Sequence, residues 1–139
     1  MQIHPYLDFG GRCEEALTFY TSAVGANVEM LMRFKDMPEP HEPGVIPPGA
    51  EEKVMHVTFR IGESTVMATD GQCQGTGDIS GISLSIQMSD IVEAERIFTA
   101  LANGGEVHMP FAETFWAPRF GIVADKFGVP WMVNVATAP

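Results

Sequence analysis

Two stretches of this 139-residue chain repeat one another at long range, and that repeat limits the available folds more than any other feature. Glu15-Ala16 and Glu93-Ala94 lie 78 residues apart, as do Thr21 and Thr99, and Phe19-Tyr20 matches Ile97-Phe98 in kind. After each segment comes a glycine and then Val28-Glu29-Met30 or Val107-His108-Met109, slipped by one further residue. Self-similarity of this kind marks one supersecondary unit used more than once.

The order of elements repeats with the letters. Ile3 to Phe9 is rich in β-formers and ends at Gly10-Gly11. CEEALTFYTSAV, Cys13 to Val24, places Ala16, Leu17, Tyr20 and Val24 at helical spacing, with Gly25 as a stop. Asn27 to Lys35 reads as a strand. Val54 to Ile61 alternates strictly, turns at Gly62-Glu63-Ser64 and returns over Thr65 to Thr69. The second half repeats the order. It has a strand over Gly81 to Met88 and a helix capped by Ser89 or Asp90 with Ala94, Ile97, Phe98 and Leu101 on one face. Gly104-Gly105 ends that helix, and strands follow near Glu106 to Met109, Arg119 to Ala124 and Trp131 to Val135. The expectation is α+β: two βαβββ modules, 1–77 and 78–139, in one domain spanning 1–139. Between them the halves differ chiefly in 37–53, where five of the ten prolines fall. Proline cannot donate to a ladder, so this segment is expected to be an irregular loop.

Charge and cysteine usage exclude several classes. Eight Lys and Arg against eighteen Asp and Glu give a formal charge of −10, the wrong sign for nucleic acid or an anionic membrane. No apolar run is long enough to span a bilayer, and no basic region precedes an apolar one near the start, so a cytoplasmic location is expected. Cys13 and Cys73 are too few for a disulfide framework and read as reduced thiols. Gly71-Gln-Cys-Gln-Gly-Thr-Gly77 follows an edge strand and reads as the linker between modules. It is no cofactor turn, because it does not join a strand to a helix with an acid about 20 residues on. His41, among Glu39, Glu42, Glu51 and Glu52, reads as solvated.

The opening PYLDFGGRCEEALTFYTSAVGA and the closing FWAPRFGIVADKFGVPWMVNV resemble the PhnB-like proteins of the vicinal oxygen chelate (glyoxalase/bleomycin resistance/dioxygenase) superfamily. The resemblance covers essentially the whole chain. It implies a curved, half-barrel mixed sheet in which each module supplies half of a cavity, often with two chains paired, so a homodimer is expected. The superfamily includes metal-dependent isomerases, dioxygenases, transferases and pure binding proteins. The fold therefore leaves activity open.

Strand alternation selects the residues that would line such a cavity. In Val54 to Ile61 the apolar Met55, Val57, Phe59 and Ile61 belong under a helix, so His56, Thr58 and Arg60 face the hollow. Ile82, Leu84, Ile86 and Met88 likewise belong to the helix and Ser83, Ser85 and Gln87 to the hollow. Trp131, Val133 and Val135 are apolar-face residues, which leaves Met132 and Asn134 inward. Phe120, Ile122 and Ala124 are expected to pack toward the helix, with Arg119 turned in. Phe115 and Trp116 lie in the loop before it, where large aromatics form rims or interfaces. The expected ligand-binding set is His56, Arg60, Ser85, Trp116, Arg119 and Asn134, with His56 also a candidate catalytic base. A guanidinium such as that of Arg119 suits a carboxylate or phosphonate.

In the metal-using relatives each module offers two ligands. Carried over by register, those positions fall at Pro5, near Met67 to Thr69, at Ile82 or Ser83, and at Met132. None bears an imidazole or carboxylate, so no metal and no other cofactor is expected at the family position. Two functions follow. One is metal-independent binding of a small anionic or aromatic molecule between the modules. The other is a glyoxalase-like lyase, isomerase or similar enzyme that uses a relocated divalent metal or His56 as base.

Overall fold

The computed structural model describes residues 1–38, 44–75 and 79–136. It divides into two compact units, Met1–Thr76 and Gly77–Pro139. The first unit runs β1 (Tyr6–Asp8), α1 (Cys13–Val24), β2 (Asn27–Arg33), β3 (Val54–Ile61) and β4 (Ser64–Thr69), with a single 3₁₀ turn over Phe34–Asp36 after β2. The second runs β5 (Leu84–Met88), α2 (Ile91–Ala102), β6 (Glu106–Ala112), β7 (Arg119–Ala124) and β8 (Pro130–Val135). Each unit holds one four-stranded mixed sheet, in the orders β1-β4-β3-β2 and β5-β8-β7-β6. In each the first strand runs parallel to the last, and the other neighbours are antiparallel. Sequential hairpins explain the antiparallel pairs. The helix carries the chain over the sheet to permit the parallel one. The chain is therefore α+β, two copies of βαβββ. The helices start at residues 13 and 91 and end at 24 and 102, so both ends are offset by the same 78 residues as the sequence repeat.

The helices form for the reasons the spacing gives, but they begin differently. On α2, Ala94, Ile97, Phe98 and Leu101 are buried, and Asp90 caps the first turn by accepting from the Glu93 N–H at 3.2 Å. On α1, Cys13, Ala16, Leu17, Tyr20 and Ala23 are buried, and Gly25 ends the helix in the left-handed conformation at φ 69°. Its cap residue, Arg12, makes no side-chain cap bond. The free amides of that first turn are met from a distance. Asp70, just past β4 and 1 % exposed, accepts from Gly11 N at 2.9 Å and Cys13 N at 2.8 Å through one oxygen. Its other oxygen accepts from Val54 N at 2.9 Å. Asp70 thus joins α1, β3 and β4 in a place where unpaired donors would be costly. Nearby, Gly10 at φ 59° lies so close to the backbone of Gly75 that no Cβ would fit.

Residues 37, 38 and 44–53 carry neither helix nor strand, and the part of the expected loop at 39–43, with His41, Glu39 and Glu42, lies outside the described residues. The returning arm is tied down. Phe34 and Lys35 donate to the carbonyls of Lys53 and Glu51, and Arg33 reaches both the Glu52 carbonyl at 2.6 Å and the Glu14 carboxylate at 2.7 Å. Strand ends are shorter than expected at Ile3–Phe9, Asn27–Lys35 and Gly81–Met88, while β6 runs on through Pro110. Proline is tolerated there because β6 is an edge strand.

One face assignment is corrected. Phe120, Ile122 and Ala124 do not pack toward the helix. Register pairs Gly121 with Val133 and Val123 with Trp131, and all four residues are buried. A Cβ on Gly121 would stand 2.6 Å from the Phe98 ring of α2, so the helix-facing residue here is the glycine. The apolar letters misled because Phe120 is also buried, on the other face, under Trp116 at 5.3 Å between ring centres.

Candidate functional site

Each sheet has one face under its helix and one face free of it, and directly opposed residues share a face. In the first unit, Tyr6 pairs with Met67 and Met67 with Thr58, while Met32 pairs with His56 and Thr65 with Arg60. His56, Thr58 and Arg60 are half-buried and alternate with the buried Val57 and Phe59, so they stand on the helix-free face. His56 is held at both ring nitrogens: Nδ1 lies 3.3 Å from the Tyr6 hydroxyl and Nε2 lies 3.1 Å from Thr58 Oγ1. The Tyr6 ring tilts against the imidazole at 5.6 Å. Arg60 donates to the Glu63 carbonyl at 3.0 Å and forms no ion pair among the described residues.

In the second unit, Ser85, Gln87 and Asn134 form a ladder on the face opposite Trp131, Val133 and Val135. Asn134 Nδ2 donates to Gln87 Oε1 at 2.6 Å, and Gln87 Nε2 donates to Ser85 Oγ at 2.9 Å. Asn134 Oδ1 is buried and has no partner among the described residues, a deficit worth about 1–3 kcal/mol. Phe120 pairs with Asn134 and carries Trp116 edge-on, so Trp116 stands at the rim of this same face. Arg119 does not join them through the strand. It pairs with Val135 and shares the face of Gly121 and Val123, a correction to the inward turn expected from alternation. At the strand's first position its side chain instead lines an open surface pocket of about 480 Å³ with residues Glu113 to Pro118, Trp116 included. There, among the described residues, it donates only to the Pro118 carbonyl, at 2.8 Å.

The structure thus groups the expected residues in two places. His56 and Arg60 lie in the first unit, and Ser85, Asn134, Trp116 and Arg119 lie in the second. Sequence reasoning missed Tyr6 because it took Pro5 for the inward position of the first strand; the pairing of Tyr6 to Met67 puts Tyr6 on the helix-free face instead. It also missed the second buried carboxylate. Asp125, 3 % exposed, opens the Asp-Lys-Phe-Gly turn and accepts from Phe127 N, Val129 N and the indole N–H of Trp131 at 2.9, 3.1 and 2.9 Å. An aspartate opening a turn is the available signal. Neither thiol adds chemistry. Burial, with Asp70 next in effect, pushes Cys13 up to about 12, and burial also raises Cys73, so both stay protonated near neutral pH.

Comparison with known proteins fits this geometry. The fold is that of a glyoxylase/bleomycin resistance protein/dioxygenase domain from Frankia, which superposes with a TM-score of 0.62 at 14 % identity over 99 % of this chain and 98 % of that one. A family model described as 3-demethylubiquinone-9 3-methyltransferase matches residues 1–134. Protein YjdN of Escherichia coli K12 is 36 % identical, covering 97 % of this chain and 95 % of YjdN. PA1353 from Pseudomonas aeruginosa superposes with a TM-score of 0.83 at 40 % identity, covering 99 % of each chain. A PhnB protein from Bacillus cereus superposes at 0.80 with 28 % identity, covering 98 % of this chain and all of that one. The chain belongs to the PhnB-like family, within the glyoxalase, or vicinal oxygen chelate, fold.

That fold implies a divalent metal in some members, and the donors present here do not suit one. By register Met67 and Met132 lie on the helix-free faces, where a ligand would be needed, and each offers a thioether. Pro5 offers no side-chain donor. Hard and borderline ions require oxygen, imidazole or thiolate, and this set does not fit them. Among the described residues no group of three His, Cys, Asp or Glu converges on a point. No helix described is long and apolar enough to cross a membrane.

Proposed function

We propose that this PhnB-like protein binds a small molecule with an anionic or aromatic group, without the superfamily metal. The observation that carries the reading is the pair of uncompensated arginines. Arg60 and Arg119 are both half-buried, each donates only to a backbone carbonyl, and neither meets a carboxylate among the described residues. A partly desolvated guanidinium gains most from a bidentate oxyanion. Beside Arg119 the indole of Trp116 offers a stacking surface. The same reading includes a homodimer, supported by Phe115 at 96 % exposed and by Val28 and Met30 on the uncovered edge strand β2.

The test is calorimetric titration with benzoate and phenylphosphonate, together with elemental analysis of protein prepared without chelator or affinity tag. Binding that weakens several-fold to a hundredfold in Arg119→Ala, about 1–3 kcal/mol, supports the assignment. Stoichiometric zinc, nickel, manganese or iron overturns it in favour of a metal-dependent lyase or isomerase. Light scattering should return twice the 15.1 kDa chain mass, and a monomer at all concentrations removes the dimer.

A further inference from the structure

Tyr6, His56 and Thr58 form a connected polar chain on the helix-free face of the first unit, and no part of the binding reading above uses it. Three features separate it from an ordinary surface hydrogen bond. Both imidazole nitrogens are engaged, one by Tyr6 and one by Thr58, so the ring plane is held. The groups come from two strands that are not neighbours, with Met67 of β4 between them in register, so the contact is set by the sheet and not by a local turn. The phenol end is accessible, with Tyr6 52 % exposed, whereas the imidazole is half-buried. The chain therefore runs from a covered hydroxyl, through a base, to a hydroxyl open to solvent. A reactive group within reach of a base, with the base oriented by a third group, is the arrangement that activates side-chain hydroxyls. The 3.3 Å separation is at the long end for such a bond, as is common before a ligand is bound.

We propose that Tyr6, with His56 as base and Thr58 as positioning residue, is a proton-transfer site for a small molecule bearing a phenol or enol hydroxyl. The proton ends on an imidazole, about 3.5 units less basic than a phenolate, so the forward transfer is uphill and the reverse passage downhill. In the resting arrangement the phenol donates to His56 Nδ1, and the Nε2–H donates to Thr58 Oγ1. The ligand's O–H gives its proton to the Tyr6 oxygen while the phenolic proton passes to Nδ1. The products are an imidazolium and the ligand's conjugate anion, and the reverse passage returns the proton. The step requires no metal, oxidant or second substrate. Asp8 and Arg60 are the other charged side chains on this face of β1 and β3, and β4 contributes none.

The inference stands apart from the binding reading, because its test needs no natural ligand. An arylsulfonyl fluoride reports phenol activation directly. The Tyr6 oxygen bonds to sulfur, the sulfur–fluorine bond breaks, fluoride leaves with its electron pair, and the phenolic proton goes to His56 and then to water. The chain has two tyrosines, and Tyr20 is fully buried, so it serves as an internal blank. Intact mass and peptide mapping should find one arylsulfonyl group, on Tyr6, absent in Tyr6→Phe. His56→Gln should slow labelling at least tenfold. Thr58→Val should slow it several-fold, with Thr58→Ser restoring it. Labelling of Tyr6 at the rate of free N-acetyltyrosine amide, or an unchanged rate in His56→Gln, overturns the proposal. If a variant fails to fold, the wild-type protein decides through ¹⁵N spectra of the histidine rings at alkaline pH. Neutral His56 protonated at Nε2 and bare at Nδ1 supports the relay, and the opposite tautomer overturns it.

Discussion

The two units share a topology and differ in how each uses the one fully buried acid among its described residues. In the first, Asp70 accepts from Gly11, Cys13 and Val54, residues 59, 57 and 16 positions away. In the second, Asp125 accepts from Phe127, Val129 and Trp131, only 2, 4 and 6 positions away. The helices reflect the same contrast. The second starts on its own Asp90, and the first starts on a carboxylate delivered by the end of its sheet. One half thus closes a helix by tertiary contact and the other closes a hairpin by local contact. A duplicated architecture therefore carries no guarantee of duplicated stitching.

The largest effect should come from removing the long-range acid. Asp70→Ala leaves two buried amides and a part-buried one without an acceptor and should cost about 3–5 kcal/mol, measured by urea denaturation followed by far-ultraviolet circular dichroism. Hydrogen exchange should speed up at Gly11, Cys13 and Val54. In Asp125→Ala the loss should be confined to Phe127, Val129 and the Trp131 indole, and exchange across all of 119–135 would show that this carboxylate is not merely local. Gly121→Ala comes next, at about 1–3 kcal/mol, because its new methyl must displace the Phe98 ring. A cost below 0.5 kcal/mol, within the range of about ±0.5 kcal/mol typical of surface substitutions, would place Gly121 on the other face.

The caps give a sharper pair. Asp90→Ala should lose about 1 kcal/mol, while Arg12→Ala at the corresponding place on α1 should lose almost nothing beyond its exposed ion pair with Glu15. Equal losses would erase the contrast between the helix starts. The smallest effect concerns Glu14, whose carboxyl is held below its ordinary 4.5 by the hydrogen bond from Arg33. Its lowered pKa in the folded state means that its contribution is present above pH 4.5 and fades as pH falls below that value. Glu14→Gln should flatten the acid limb of stability slightly and leave pH 7 nearly unchanged. A large change at pH 7 would mean that the bridge anchors the arm from 44 to 53.

Much of the fold was legible because its elements follow simple periods. Ala94, Ile97, Phe98 and Leu101 mark the buried side of α2 without further information, and Val54–Ile61 and Arg119–Ala124 match the expected strand bounds. The face of β7 was not legible. Phe120 and Val123 are both buried, on opposite faces, so apolar letters alone do not set the parity; the deciding fact is the space that Phe98 takes above Gly121. Asp70 was illegible for a different reason. Its partners are backbone amides, which every residue but proline carries, so no letter in the sequence advertises them. The same applies to Tyr6, whose link to His56, fifty positions on, depends on the parallel pairing of β1 with β4.

Both tryptophans of the chain, Trp116 and Trp131, fall in the second unit. Trp131 is 2 % exposed and bonded to a carboxylate, and Trp116 is 50 % exposed and meets the Phe115 and Phe120 rings edge-on. Excitation at the red edge of the indole band therefore addresses one half of this molecule only. Iodide should extinguish Trp116 and spare Trp131, and melting of the first half would pass without an optical signal of its own.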